Sequence, residues 1–599
     1  MKNVYLFQPQ YVVEVRKEKN YWLPYSAGCI WSYAAQFKDI TDNFQLKEII
    51  FKREKQQAIL DRLENPDICG FSCYTWNHQY CVTLAEKIKK KWPKCKIVFG
   101  GAEVHSSFLN HKFIDSLVFA EGEKAFVKIL RDYLSEQDIE VIYPKNRLED
   151  LDIPSPYLTG LFDRYVEENP DAIWAGVIET NRGCPYSCTF CDWGGITYSK
   201  IKKFNLEKVA AELDWMSTHN VAYIMTGDAN FGIFKERDLE IAKMIRVAAD
   251  RPGSKLESMN VNFAKNSSET VYELGKILGS LLRGGITFSL QSLNTDTLEA
   301  IKRTNMEVNK FGDLISLSEK YGVLNYTEMI LGLPLETVES WKKGITELLE
   351  LGQHQNIDLW LAQLLLNSEL STTESRQKYK ISSVMAKDYL TLENTNEFDE
   401  CVELIEIING TSTMTTAQMV EAYLYSWMIV HFHVTGYSQM IARYCRNIRN
   451  ISYRTFYDLL HEKLQQEPTL GKHQKEFGHV LHTYLTTGEL IATDGFKGHT
   501  IYGMSFKFIY DHKDLVINLA AETAKELTTL PQNIIDLQEN FIFDQRHKFP
   551  REFDSEIDIM HWTETPTQYQ ITNKTANNQF DFYFSRRKNL LKNKFVQLN

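Results

Sequence analysis

Three cysteines, Cys184, Cys188 and Cys191, lie in the stretch Thr180-Asn181-Arg182-Gly183-Cys184-Pro185-Tyr186-Ser187-Cys188-Thr189-Phe190-Cys191-Asp192-Trp193. Thiolates in such short spacings hold iron–sulfur clusters, which in electron carriers take a fourth cysteine. Here the next cysteine downstream is Cys401. Three thiolates on a four-iron cluster leave one iron open to another ligand, which makes the loop a reaction site rather than a staple. Zinc is the competing reading, but a structural zinc site wants four closed ligands in paired short spacings.

Other segments could contact a ligand. Downstream of the cysteines stand Thr226-Gly227-Asp228-Ala229-Asn230-Phe231-Gly232, then Ser289-Leu290-Gln291-Ser292, then Thr327-Glu328-Met329-Ile330-Leu331-Gly332-Leu333-Pro334. Upstream stand Tyr74-Thr75-Trp76-Asn77, Gly100-Gly101-Ala102-Glu103 and Glu121-Gly122-Glu123. Glycine pairs after a strand let a ligand approach the backbone, and alternate polar residues on a strand share one face. Taken singly, each segment is equally well a turn or a satisfied strand end. Their order along the chain carries more weight than any one of them.

The elements that must position these segments alternate. Residues 4–7, 68–72 and 96–99 read as apolar strands, with helical pattern over 82–91. That rhythm predicts a parallel sheet covered on both faces, binding its ligand at the carboxyl ends of the strands. A proline-broken connector, Asp150-Leu151-Asp152-Ile153-Pro154-Ser155-Pro156-Tyr157, marks a boundary. From Ala175 a strand enters the cysteine loop, followed by strands at 223–226, 259–263, 286–290, 325–331 and 357–365. Six parallel strands with intervening helices make a partial α/β barrel whose site lies at the strands' carboxyl ends. The fold class is therefore α/β: a Rossmann-like domain over 1–150, a partial (β/α)6 barrel over 151–375, and a mainly α C-terminal domain over 376–599 that caps the barrel and shapes the substrate. In that last region a helical pattern covers 416–446, and the aromatics Trp427, Phe432, Tyr437 and Tyr444 are expected in its core. From residue 506 short strands alternate with helices, ending near the basic run Arg586-Arg587-Lys588, expected as a solvated surface.

The cysteine triplet, with aromatic Phe190 before its last member, resembles the signature of the radical S-adenosylmethionine (SAM) superfamily. The resemblance implies a [4Fe-4S] cluster on Cys184, Cys188 and Cys191, with SAM at the open iron. It further implies SAM contacts at Phe190, Gly227, Asp228, Asn230, Ser289, Gln291, Glu328 and Leu331. The upstream segments resemble the cobalamin-binding domain that precedes the barrel in one large subfamily. Implied cobalamin contacts are Ser72, Tyr74, Trp76, Asn77, Gly100, Gly101, Glu103, Glu121, Gly122 and Glu123. The Asp-x-His-x-x-Gly loop of older cobalamin proteins is missing, since Gln8-Pro9-Gln10 follows the first strand. His78 and His105 are accordingly expected as loop or surface residues. Trp76 is expected near the lower cobalt face, or else as an aromatic packed at a strand end.

Over roughly residues 1–370 the resemblance is to cobalamin-dependent radical SAM methyltransferases. It implies an electron from an external donor such as flavodoxin or ferredoxin, a 5′-deoxyadenosyl radical, and methyl transfer from methylcobalamin to an unactivated carbon of a peptide or small metabolite. A cyclisation or rearrangement without methyl transfer is the alternative enzyme, and a cobalamin or SAM sensor the alternative outside catalysis. An RNA methylthiotransferase fits less well, because Cys69, Cys73, Cys81 and Cys95 do not repeat that family's second-cluster layout. No residue is assigned as general base. Glu179 and Asp192 are expected as solvated or capping groups. Glu328 either contacts SAM or substrate, or pairs with Lys265 or Arg303 as a buried charge.

A net charge of −11 over 599 residues argues against a nucleic-acid partner held by charge. Ten irregularly spaced cysteines are not a disulfide framework. The longest nearly apolar run, 422–434, is shorter than a membrane span and carries His431 and His433. The expectation is a soluble cytoplasmic protein with no membrane partner.

Overall fold

The computed structural model describes residues 1–10, 13–15, 18–193, 200–265, 268–282, 285–321, 323, 325–354, 356–388, 401–490, 505–546, 552–555 and 569–572. The chain opens with β1 (Lys2–Gln10), the strands β2 (Val13–Val15) and β3 (Glu18–Trp22), and helix α1 (Tyr25–Ala34). There follow β4 (Phe44–Lys52), β5 (Ile68–Ser72), helix α2 (His78–Lys91), β6 (Lys96–Gly100), β7 (Ser116–Ala120), helix α3 (Glu123–Leu134) and β8 (Ile142–Asn146). Among the described residues the first sheet has the order β4-β1-β5-β6-β7-β8, parallel throughout.

The two faces of this sheet have different tasks. Phe7, Phe71 and Phe99 stack in succession across β1, β5 and β6, with ring centroids 4.4 and 4.8 Å apart. Such pairs add about 0.5–1.5 kcal/mol each beyond the area they bury. Alternation turns Leu6, Gly70, Val98 and Val118 to the opposite face, where α1 and α3 pack and the side chains are smaller. Helix α2 begins at His78, ahead of the apolar pattern that announced it at 82.

The second sheet is built from β9 (Ala172–Ile178), β12 (Val221–Thr226) and β13 (Ser258–Asn260), with the short pair β10 (Asn181–Arg182) and β11 (Lys202–Lys203) between β9 and β12 in the chain. Its order is β13-β12-β9-β3-β2. Thus β3, from the N-terminal region, runs parallel beside the first barrel strand. A third parallel sheet contains β14 (Ile286–Gln291), β15 (Asn325–Leu331) and β16 (Ile357–Leu361). Among the described residues an isolated bridge joins Met259 of β13 to Leu282, shortly before β14. The strand expected at 259–263 is shorter and shifted, with Phe263 contributing only a bridge to Phe231.

Beyond the barrel, β17 (Ser382–Lys387) and β18 (Leu404–Gly410) form an antiparallel pair. The helix expected across 416–446 is interrupted: an α-helix over Thr416–Met428 passes into a π-helical turn over Ile429–Val434, and a new helix runs over Gln439–Asn447. The wider turn carries His433 into the protein, where its Nε2 lies 2.8 Å from His354 Nδ1. Trp427, Phe432, Tyr437 and Tyr444 are all buried, as their spacing required. The basic run at 586–588 lies outside the described residues.

Candidate active site

A cavity of about 290 Å³ opens where the carboxyl ends of the first sheet meet the cysteine loop. Its wall on the first-sheet side includes Ser72, Tyr74, Gly100, Gly101, Glu121, Gly122 and Glu123, with Tyr25 to Ala27 at the start of α1. Its other wall includes Glu179, Arg182, Gly183, Trp193 and Gly227. Backbone shape makes this meeting possible. Gly101 has φ +104°, and a Cβ there would lie 2.5 Å from Cys73 O. At Gly122 a Cβ would meet Ile30 Cδ1 at 2.7 Å.

Three sequence-derived positions stand behind this wall instead of lining it. Asn77 is fully buried and holds its own loop, its Oδ1 accepting from Tyr74 N at 2.8 Å and its Nδ2 donating to Ser72 O and Pro9 O. Trp76 stacks on Tyr74 with ring centroids 4.5 Å apart, and its indole Nε1 is buried without a partner among the described residues. Glu103 faces His78 at 3.7 Å. His105 caps the turn over Ser106–Asn110 by accepting from Ser107 N.

Glu179 and Asp192, expected as solvated or capping groups, are both partly buried, and Glu179 serves an ion pair. Arg182 donates to Glu179 through Nη2 at 2.8 Å and to Glu123 through Nη1 at 2.8 Å, so one guanidinium joins the cysteine loop to the first sheet. Burial pulls the Arg182 pKa down, but Glu123 and Glu179 outweigh it and hold the group well above its usual range. At Asp192 burial, followed by the charge of Glu103, pushes the carboxyl up to about 7, and its Oδ1 has no partner among the described residues.

Around the cysteines the polar side chains converge on sulfur. Asn230 Nδ2 donates to Cys184 Sγ at 3.3 Å, and Lys265 Nζ to Cys188 Sγ at 3.6 Å. Phe190 packs on a small core cluster that includes Ile301 and Leu333, and Thr189 is tied by its backbone to Ile301 and Leu370. Burial pushes the Cys191 thiol up. Among the described residues no three His, Cys, Asp or Glu side chains are grouped for a single metal ion.

Of the remaining downstream positions, Asp228 is fully buried and holds the strand-to-loop junction, accepting from Thr180 N at 2.8 Å, Asn181 N at 3.0 Å and the Thr180 hydroxyl. Leu331 lies in the main core. Ser289 Oγ donates to Glu328 Oε2 at 2.6 Å, while Arg303, its pKa lowered by burial, stands near Cys188 and Glu328 and donates to Ser289 O. Gln291 ends β14 at φ +67° with its Oε1 buried and unpartnered among the described residues, as is Asn230 Oδ1. Non-glycine residues held in that region are costly and mark sites where the surroundings over-determine them.

These features test whether the implied cofactors fit. Glycines crowd a cavity at the carboxyl ends of a parallel sheet, where the cobalamin-type site is expected. Three thiols share one loop, and unpartnered amide oxygens on Asn230 and Gln291 are available to an ammonium or hydroxyl donor. The residues present fit. Sequence reasoning missed the bridging role of Arg182, the α1 wall, and the approach of Lys265 and Arg303 to Cys188, having named both only as partners for Glu328, which Arg303 does stand near. Only the proximity of Arg182 to the cysteines could have flagged the first.

The family described as B12 binding domain matches residues 39–130, and the Radical SAM superfamily matches residues 178–347. The chain is 33% identical over 493 residues to the cobalamin-dependent radical SAM methyltransferase TokK of Streptomyces tokunonensis, covering 78% of this chain and 71% of that protein. It is 32% identical over 494 residues to the 2-(S-pantetheinyl)-carbapenam-3-carboxylate methyltransferase of Streptantibioticus cattleyicolor, covering 78% and 72%. Among solved structures, the cobalamin-dependent S-adenosylmethionine radical enzyme OxsB with aqua-cobalamin bound is similar in fold, with a TM-score of 0.51 at 13% identity, covering 94% of this chain and 85% of that one.

Proposed function

From the fact that this chain belongs to the cobalamin-dependent radical SAM methyltransferases, we propose that it methylates a saturated carbon of a small metabolite in the cavity between its first sheet and its cysteine loop. It is an enzyme whose cofactors are a [4Fe-4S] cluster, SAM and cobalamin. When bound, the cluster and SAM supply hydrogen abstraction from carbon, and cobalamin supplies the methyl group.

The chain's own residues divide the remaining work. Cys184, Cys188 and Cys191 hold the cluster, while Asn230 and Lys265 stabilise negative charge on two of the sulfurs. Asn230 Oδ1 and Gln291 Oε1 offer acceptors to SAM, and Ser289 with Glu328 forms the polar strand face beside them. Ser72, Tyr74, Gly100, Gly101 and the 121–123 loop hold cobalamin against the first sheet, with Trp76 behind Tyr74. Asp228 acts through the backbone of Thr180 and Asn181, setting where the cysteine loop begins. The three regions 1–150, 151–375 and 376–599 serve as cobalamin, radical and capping domains, with β3 exchanged into the second. All ten cysteines are unbridged, which suits a reducing cytoplasm and an external one-electron donor of the flavodoxin or ferredoxin kind.

One observation carries this reading: glycine loops of the first sheet and the cysteine loop line the same cavity. The carbapenam thioether named for the second relative is the first substrate to try. Anaerobic reconstitution, with optical spectra of cluster and cobalamin, should be followed by mass spectrometry of products formed from SAM with a deuterated methyl group. The expected result is 5′-deoxyadenosine together with a product bearing the label. 5′-Deoxyadenosine with an unlabelled rearranged product would replace methyl transfer by rearrangement, and Cys188→Ala retaining SAM cleavage would remove the cysteines from the reaction.

A further inference from the structure

Each of the three loops that wall the cavity on the first-sheet side is held from outside that sheet's own loops. Arg182, from the cysteine loop, holds Glu123. Asn367, after β16, donates through Nδ2 to Ala102 O and Val104 O, both at 2.9 Å. The third loop, 74–77, is held from the far end of the chain.

Glu403 immediately precedes β18, and its backbone O accepts from Asp388 N at 3.0 Å. Its carboxylate reaches the start of α2, accepting from Gln79 N at 2.7 Å and Tyr80 N at 3.2 Å. This supplies the acceptor that the helix lacks locally, since the Asn77 side chain makes no capping bond. The same carboxylate pairs with Arg53 Nη1 at 2.6 Å, with 0% of the Glu403 and 1% of the Arg53 side chain exposed. Arg53 Nη1 also donates to Trp76 O at 2.8 Å, and its Nη2 to Cys401 O at 2.9 Å. The guanidinium lies 4.8 Å from the centroid of the Tyr80 ring.

We propose that Arg53 and Glu403 are a positioning pair that fixes the Tyr74–Trp76 stack and thereby sets the surroundings of bound cobalamin from the C-terminal region. The inference rests on the cobalamin reading above. Two fully buried charges are costly to maintain unless their geometry is satisfied on every side. Here the Glu403 carboxylate and the Arg53 guanidinium reach Gln79 N, Tyr80 N and Trp76 O on one stretch of backbone, and Cys401 O beside it. Trp76 O is the point at which the pair touches the loop itself, and the stacked rings transmit that position to Tyr74, which lines the cavity and whose hydroxyl lies 2.6 Å from Ser26 Oγ of α1. Neither charged group lines the cavity, so the pair acts through the loop and not on the ligand.

The test uses the full-length protein reconstituted anaerobically with cobalamin. Glu403→Gln keeps an acceptor for the α2 backbone but breaks the ion pair. The double variant Arg53→Met/Glu403→Leu removes both charges, and decides the matter where the single variant does not fold. Electron paramagnetic resonance of bound cob(II)alamin and its dissociation constant are measured beside iron content and circular dichroism. The expected outcome is unchanged iron content and helicity, a changed cob(II)alamin hyperfine pattern, and cobalamin binding weakened at least tenfold. A folded variant with the wild-type spectrum and affinity would overturn the positioning role. Wild-type protein that takes up no cobalamin would instead overturn the cobalamin reading.

Discussion

Arg182 Nη1 lies 2.8 Å from Glu123 Oε1, so a residue two places before Cys184 grips the first turn of the helix that follows β7. With Glu179 on its second edge, the guanidinium is a three-residue bridge along the cavity wall. Arg182→Ala leaves two largely buried carboxylates uncompensated, a loss of about 3–5 kcal/mol. Arg182→Lys keeps the charge but not the fork that satisfies both acids. Urea unfolding should rank wild type above the lysine variant and the lysine variant above alanine. Equal midpoints for all three would show that the bridge is idle.

The bond from Asn230 to Cys184 sulfur concerns redox poise. A hydrogen bond to a thiolate favours the reduced, more negative cluster, so Asn230→Ala should lower its potential. For one electron, a bond worth about 1 kcal/mol corresponds to roughly 40 mV. An anaerobic redox titration followed by electron paramagnetic resonance measures this, and an unshifted or raised potential contradicts it.

Asp228 gives a pH dependence of determined sign. Burial, against the bonds from Thr180 and Asn181, pushes its pKa from 3.8 to about 7. The native state therefore keeps a proton that the unfolded chain has lost. Its contribution is fully present below pH 3.8 and is lost as pH rises through about 7, in total on the order of 4 kcal/mol. Asparagine mimics the protonated carboxyl. Asp228→Asn should remove this decline, which chemical unfolding across pH 4–8 would reveal as a rising difference between variant and wild type.

The buried histidine pair has the opposite sign. Burial, then the charge of Arg443, holds both His354 and His433 well below 6.5, and the coulombic effect of His433 adds to the shift at His354. The unfolded chain thus binds protons first as pH falls, and stability present above 6.5 is lost below it. Each histidine contributes up to about 1.4 kcal/mol per pH unit. His354→Gln should lower the acid sensitivity between pH 6.5 and 5 by up to about 1.4 kcal/mol per pH unit; an unchanged slope would assign it to other groups.

Gly101 and Gly100 should respond differently to alanine. At Gly101 the new Cβ collides with Cys73 backbone at positive φ, and a cost of about 1–3 kcal/mol with lost cobalamin uptake is expected. At Gly100 the nearest atom would be Val118 Cβ at 3.7 Å, so the fold should survive. Thermal unfolding and cobalamin absorption of the two purified variants provide the comparison.

Much of this architecture was legible from local pattern. The apolar runs of β5 and β15 coincide with the strands they predicted, and the pair Gly100-Gly101 marked a place of close backbone approach, where Gly101 meets Cys73. The three cysteines pointed to an iron–sulfur cluster by their spacing, and to SAM through the family signature that they resemble together with Phe190. What stayed hidden shares one cause. Helix α2 starts at His78 because its acceptor comes from Glu403, more than three hundred residues away in sequence. β3 lies in the barrel sheet because its backbone found β9, and Asp228 serves Thr180 because their strands are adjacent.

The sequence by itself marked several of the parallel strands, such as β5 and β15, and the thiolate spacing of the cysteine loop, since periodicity, glycine conformation and ligand spacing are local properties. The tertiary structure alone decided that Arg182 pairs with Glu123, that Asn230 reaches Cys184, and that Arg53 and Glu403 meet beneath Trp76. Each of those depends on burying a charge or amide where only one distant partner can satisfy it, and the identity of that partner is written in the packing.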